Sequence, residues 1–520
     1  MRWGCPRLRF VVVVLSASAI VVSFPRTGAA GQTLRVSSDE AVAIALDHNL
    51  ALKGARIGPA LADLDVQTTG TAWTPALSTR VGKTDGRTPA ATPFDQGQTS
   101  LRTGQLTSDV ALTQQLPWGS SYQVGWLGAR RTSSGAFSLF QPELSSGLTA
   151  TFTQPLLKGL FVDPSRTARA VSLGARDVAA AELQTAVAST TRDVRYAYWR
   201  WIYSRDVLVV QGQSLGLAQK LLDGNRARIA AGAMAAVDAI EAEAEVARRS
   251  EAIIVAEKNV ANAEDLLRML MLEPEDPRST QSLDASREPI PPDAGASNAS
   301  VARAIAGRQD LRAIRAGLGI DDVTIRQLRD EKLPDVSLRL GYALAATGGT
   351  ELLRASGVTG PVTGSLDRGF PSVLDDLGRF RFPTWSVELA VSYPLGTARA
   401  DVATARAELQ QKQRTTVLAA AEQRVATEVR AVHREVAANR KRLESTAAAV
   451  ALSERRLDAE ERKFTVGLST SFFVFQAQRD LAQAREAALR ALLDFRLSSA
   501  DLEAVQVMPL GQATTSSVVP

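Results

Sequence analysis

The chain has 520 residues, 45% of them hydrophobic and 22% charged, which excludes both a disordered chain and a stack of membrane helices. Its net charge of +5 is concentrated at one end: Arg2, Arg7, Arg9 and Arg26 fall in the first 30 residues, which carry no acid, leaving 56 basic against 55 acidic residues over 31–520. A near-neutral remainder gives no electrostatic basis for binding nucleic acid.

Residues 1–30 read as a signal peptide. Arg2, Arg7 and Arg9 form a basic start, Phe10 to Phe24 an apolar run, and Gly28-Ala29-Ala30 a small-residue cleavage site. The run is too short for a comfortable membrane anchor. Cys5, the one cysteine, precedes the run rather than following it, so it is not placed for lipid attachment. Cleavage removes it, and stability then rests on packing rather than cross-links. No later segment is apolar enough for a transmembrane helix, so any membrane crossing has to be a closed barrel.

From about Ser38 to Thr71 the spacing predicts a helix, opened by a capping box of Ser37 and Glu40. Alternation of period two follows, as where Leu148, Ala150 and Phe152 interleave with Thr149, Thr151 and Thr153. An additional alternating pair flanks Leu-Pro-Trp-Gly at 116–119, with Val110 and Leu112 before it and Tyr122, Val124 and Trp126 after it. This hairpin, within 107–131, either enlarges a barrel or folds outside it. Asp163-Pro164 then opens a long helix, as N-cap and first turn, reaching about Ala230. Val194, Trp201, Leu208, Leu215, Leu222 and Ile229 recur at sevens along it, a period that imposes a left-handed supercoil. At 1.5 Å per residue the helix is roughly 100 Å long. Because Trp201 lies on this seam, the aromatic cluster 196–203 reads as packing. A turn at Gly232 leads to a helix from about Ala235 to Glu273, stopped by Pro274. The Pro-rich stretch 274–297 reads as a linker.

The second half repeats the first. Helix (299–331), strands (about 334–394), long helix (400–466), turn at Gly467, helix (470–507) and tail (508–520) follow in the same order. Residues 225–249 align with 460–484 without a gap at an offset of 235, matching Gly232 to Gly467 and Arg228 to Lys463. Upstream, 41–50 aligns with 302–311, 75–82 with 334–341, and 149–156 with 388–395. The second seam is Val429, Val436, Leu443, Val450, Leu457 and Phe464. In each half the two shorter helices, end to end, match the long one in length. In a lipid-embedded barrel the apolar strand face meets lipid and the polar face the lumen. Arg80 and Arg339 occupy equivalent polar-facing positions, either lining a lumen or pairing with neighbouring acids. Tyr342, Trp385 and Tyr393 stand where an aromatic girdle would lie. The Gly-, Pro- and Thr-rich stretches 84–106 and 346–383 read as loops outside the cell. His48 and His433 are isolated, with no metal-ligand spacing, and there is no Walker-type loop or paired catalytic carboxylate.

The order helix, strands, very long helix, Gly-centred turn, helix, run twice, resembles the TolC-like outer-membrane efflux proteins over nearly the whole mature chain. Its most specific parts are "RARIAAGAMAAVDAIEAEAEVA" (226–247) and "RKFTVGLSTSFFVFQAQRDLA" (462–482). The resemblance implies a mainly α fold with a β-barrel part: a long antiparallel coiled-coil barrel and a transmembrane β-barrel shared by a homotrimer. It implies an outer-membrane location with a long periplasmic extension. The function implied is passive export, with no enzyme activity and no cofactor. Partners are then outer-membrane lipid, a periplasmic adaptor (membrane fusion) protein and an inner-membrane transporter. The turns carrying Arg228, Gly232, Lys463, Gly467 and Leu468 would form the periplasmic tip that meets the adaptor. Acids beyond the tip glycine would ring the closed end, here Asp238 and Glu241; the same acids, with Glu243 and Glu245, also fit a solvated helix face. The second repeat has Phe473 and Gln476 where relatives often carry Asp, so an apolar closure by Phe472, Phe473 and Phe475 is the alternative. The family's simplest plan has two barrel strands per half; this first half offers four. From a different class, a periplasmic coiled-coil scaffold or binding protein with a small soluble sheet also fits the alternation.

Overall fold

The computed structural model describes residues 33–89, 99–135, 138–286, 288–290, 296–355, 360–393, 395 and 398–510. The expected signal peptide and tail residues 511–520 lie outside the described residues. The first half opens with β1 (Thr33–Val36), α1 (Ser38–His48) and α2 (Leu50–Gly70). Ser37 and Glu40 form the expected capping box. The single helix expected over 38–71 is two, however. Asn49 leaves helical backbone at ψ 121°, and its side chain accepts from the Leu52 N–H at 3.0 Å, capping α2.

Four strands follow, β2 (Ala76–Pro89), β3 (Ser100–Gln115), β4 (Ser121–Ser133) and β5 (Phe140–Pro155), then α3 (Pro164–Ala230), α4 (Val237–Met271) and β6 (Ser282–Ala285). Asp163 caps α3 through the Arg166 N–H, with Pro164 in the first turn. The second half comprises α5 (Ser297–Gly307), α6 (Gln309–Asp330), β7 (Asp335–Arg354), β8 (Val362–Arg368), α7 (Phe370–Gly378), β9 (Pro383–Ser392), α8 (Ala398–Thr465) and α9 (Ser471–Ala504).

The break between α5 and α6 falls at Arg308 and corrects the upstream alignment. Ser38 and Ser297 both start their helices, an offset of 259. At that offset the buried Ala45 and Leu52 match the buried Ala304 and Leu311. The pairing of 41–50 with 302–311 is therefore slipped by two residues. In Ala- and Ile-rich helices several registers match equally well by letter, and only burial separates them. The same offset carries Ala76 onto Asp335, the first residues of β2 and β7.

α3 packs along α1, α2 and α4, and α8 along α5, α6 and α9, so each long helix runs beside shorter ones. Every one of the six residues of each seam is buried or half-buried. Val194, Tyr198 and Trp201 join Val36, Ala41, Leu267 and Leu283 in one core. Val425, Val429 and Val436 join Val301, Leu311 and Phe495 in its counterpart. The stretch 274–297 does more than connect: β6 pairs in parallel with β1, and the Tyr198 hydroxyl reaches the carbonyls of Val36 and Ser286 at 3.1 and 3.0 Å. Within 508–520, Met508 is buried and the Leu510 N–H donates to Glu428 Oε1 at 2.8 Å.

The remaining strands form a sheet in the order β2-β3-β4-β5-β7-β8, with β9 also paired to β7. β9 pairs with residues 335–344 of β7 and β8 with 349–354. These two strands share one edge, so the seven strands occupy six lateral positions. β2 and β7 begin, and β5 and β9 end, next to helices, which places every helix except α7 at one end of the sheet. The stretches expected as loops are partly strand: β2, β3 and β7 run on through 84–89, 100–106 and 346–354, and β8 and α7 also lie within 346–383. Residues 90–98 and 356–359 lie outside the described residues. At the end away from the long helices α7 packs on the sheet through the buried Val373, beside Gly348.

Candidate functional site

Two regions carry the candidate residues: the turns at the far end of the long helices, and the faces of the sheet. Gly232 and Gly467 adopt φ of 74° and 80°, a region that costs other residues energy because of their Cβ. In the first turn the N–H of Gly232 donates to Ile229 at 2.9 Å and that of Ala233 to Arg228 at 2.8 Å. In the second, Gly467 donates to Phe464 at 3.2 Å and Leu468 to Lys463 at 2.8 Å. These are the same Schellman bonds, residue for residue at the offset of 235. Nothing lies within 4 Å of a Cβ built at either glycine, so conformation rather than crowding demands glycine there.

The turns are tied together. Arg228 stacks over the Phe464 ring. Lys463 Nζ lies 2.7 Å from Glu460, which also accepts from the Ser469 hydroxyl at 3.0 Å. These two bonds, Lys463 first, hold the Glu460 carboxyl below its ordinary value. Leu468 is 80% exposed, and Val466, Val237 and Ile240 also face outward. Val237 and Ile240 escaped the sequence reading; their sign was an apolar residue at each of two positions in a helix start otherwise rich in Ala and Glu.

The gate candidates separate. Asp238 lies in the first turn of α4, and its side chain is outside the described residues. Glu241 is exposed. Glu243 pairs with Arg226 at 2.7 Å. Glu245 is no part of a solvated face: it is buried, and Arg248 and Arg249 each reach it at 2.8 Å. Phe472 and Phe473 are about half exposed and meet edge to face at 5.6 Å. Phe475 does not join them; it is buried with Leu222 and Ala242. Gln476 donates to Asp480 at 2.9 Å, and Arg456 holds the same carboxylate. His48 is not isolated: Nδ1 is 3.3 Å from Glu273 and Nε2 3.0 Å from Arg278.

In the sheet the cross-strand register brings most of the apolar strand residues onto one face, Leu127, the partner of Asp109, being an exception. One row runs Leu77, Leu112, Val124, Ala150, Tyr342 and Trp385. Trp385 is 75% exposed, and Leu77, Val81, Leu389 and Val391 are also bare. The expected girdle residues Tyr342 and Trp385 are direct cross-strand partners. The opposite face is polar and carries both arginines. Arg339 faces Glu388 at 3.6 Å, and Arg80 is the cross-strand partner of Asp109. The additional hairpin lies inside this sheet: β3 and β4 stand between β2 and β5.

Among the described residues no helix is long and apolar enough to cross a membrane. A family model described as outer membrane efflux protein matches residues 41–271 and 301–505. Several solved structures share the fold. A membrane protein from Pseudomonas aeruginosa superposes with a TM-score of 0.64 at 16% identity, over 90% of this chain and 93% of that one. The Campylobacter jejuni CmeC outer membrane channel gives 0.61 at 13% identity, over 90% and 85%. The outer membrane protein VceC from Vibrio cholerae gives 0.60 at 16% identity, over 90% and 96%. Comparison with curated proteins gave no match.

Proposed function

Because the chain belongs to the outer membrane efflux protein family, channels of the outer membrane with a long periplasmic helical part, we propose that three copies close one barrel and one helical duct. Substrates pass through passively, delivered by an inner-membrane pump through a periplasmic adaptor that docks on the turns around Gly232 and Gly467. The observation that carries this reading is the sheet. One face carries an apolar row from Leu77 on β2 to Trp385 on β9, and among the described residues β2 pairs only with β3 and β9 only with β7. Open edges in lipid leave backbone groups without partners, at several kcal/mol each. Further copies of the chain supply the missing ladders. The exposed Leu468, Val466, Val237 and Ile240 suit an adaptor that covers apolar surface. Glu241 and the Phe472–Phe473 pair are the residues proposed to narrow the closed end.

The test is fractionation and mass. The protein should sediment with outer membranes, require detergent for extraction, and migrate as a trimer until heated. A monomer released without detergent would instead mark a periplasmic scaffold. Glu241→Ala should change single-channel conductance or its cation preference; unchanged recordings would remove Glu241 from the gate.

A further inference from the structure

We propose that the β3–β4 hairpin is a built-in widening of the barrel: three copies close a ring of eighteen strands, offering bulky hydrated cargo a water-filled bore through the membrane. The proposal rests on the three-copy reading above. The chain places six strands side by side, with β8 and β9 sharing one position, and six positions in three copies make eighteen.

The hairpin belongs to the wall by three observations. Its register is unbroken against both neighbours, from β2 through β3 and β4 to β5. Its residues continue the two faces, with Val110, Leu112, Val124 and Trp126 on the apolar side. And its turn is locked into the junction between sheet and helices. Ser120 is fully buried and its hydroxyl lies 2.5 Å from Gln154 Oε1. The Ser165 hydroxyl, in the first turn of α3, reaches Gln115 at 3.1 Å. Gly119 adopts φ 93°, and a Cβ there would stand 2.7 Å from the Gly159 carbonyl. A hairpin folded outside the wall would leave this turn in solvent.

Strand direction agrees. A hairpin adds two strands, so the antiparallel alternation survives and β9 of one copy still runs opposite to β2 of the next. Thr113, Gly125, Thr149, Thr151, Gly341 and Ser386 on the polar face are short, and the longer Gln123, Arg80 and Arg339 there are polar. Barrel diameter grows roughly in proportion to strand number, and rings of 16–18 strands enclose an aqueous channel. Relative to the twelve strands that two per half would make, the bore is about 1.5 times wider and about twice the area.

Cysteine pairs in the full chain, whose own cysteine is Cys5 alone, test this directly. Ser78, Ala111, Gly125 and Thr149 form one row across the polar face. Ser78 and Thr149 are then three strand spacings apart, about 14 Å, beyond the roughly 7 Å a disulfide tolerates. The S78C/A111C variant should oxidise within the chain, and S78C/T149C should not. A link within the chain in S78C/T149C would put β2 beside β5 and overturn the widening. Combining S78C in turn with S386C, E388C and A390C should give a link between chains in at least one variant. If none links, the three-copy ring itself fails, whatever the hairpin does. Electron microscopy of the protein in nanodiscs should count eighteen strands; a ring of twelve would overturn the proposal.

Discussion

The guanidinium of Arg228 lies over the ring of Phe464, 4.2 Å from its centroid, and its Nη1 donates to the Phe464 carbonyl at 3.3 Å. Phe464 is the repeat equivalent of Ile229, the neighbour of Arg228. Each half thus contributes one partner, and the contact joins the last turns of α3 and α8. A cation over an aromatic face at a part-exposed site is worth about 0.5–1 kcal/mol. Arg228→Ala should speed amide exchange in 463–470 several-fold and leave the melting temperature nearly unchanged. Arg228→Lys should restore part of the protection.

The tip glycines should tolerate added volume but not the backbone it favours. Gly467→Val places a β-branched residue at φ 80° with open space around it, at a cost of about 1–3 kcal/mol. Assembly, governed by the sheet and the seams, should be unaffected. Export should fall sharply in this variant and in Gly232→Val, measured as accumulation of an efflux substrate. Full export with an altered tip would argue against docking there.

At the break between α5 and α6, Arg308 is almost wholly buried, bridging Asp310 at 2.9 Å and Glu428 at 2.6 Å. Removing it strands two carboxylates. Arg308→Met should therefore destabilise the protein by about 3–5 kcal/mol, seen as a lower unfolding midpoint. Adding Asp310→Asn and Glu428→Gln to that variant should recover much of the loss, because the uncompensated charges go with the arginine.

Glu460 makes the second turn sensitive to acid. Bonds from Lys463 and Ser469 depress its pKa below the ordinary 4.5. A carboxyl depressed on folding contributes stability that is complete above its ordinary value and lost as pH falls through the folded one. Amide exchange in 466–470, corrected for intrinsic rates, should stay level down to about pH 4.5 and rise below it. Glu460→Gln should show fast exchange throughout and no acid-dependent step.

Much of this fold was legible because its signals are local. Ser37 with Glu40 and Asp163 with Pro164 mark helix starts within four residues. The seam from Val194 to Ile229 needs only a period of seven, and Gly232 and Gly467 mark the two reversals. What misled were features set at long range. Asn49 and Arg308 break helices whose apolar pattern runs straight through, because each is buried and held by a partner on another element, the Leu270 carbonyl and Glu428. The slipped pairing of 41–50 arose where letters repeat and burial alone discriminates. For Glu245 the two pairing arginines, Arg248 and Arg249, stand three and four residues on and were legible; its burial was not.

By itself the sequence determined the duplication, the long helices with their caps and turns, and the two-faced strands, since each follows from periodicity or from residues a few positions apart. Only the tertiary structure decided which strands are neighbours, that the hairpin at 107–131 stands inside the sheet, and that β6 crosses back to β1. Pairing is a choice among distant segments with the same alternation, and it is settled by register, by a turn such as Gly119 seated against Gly159, and by which faces are buried together.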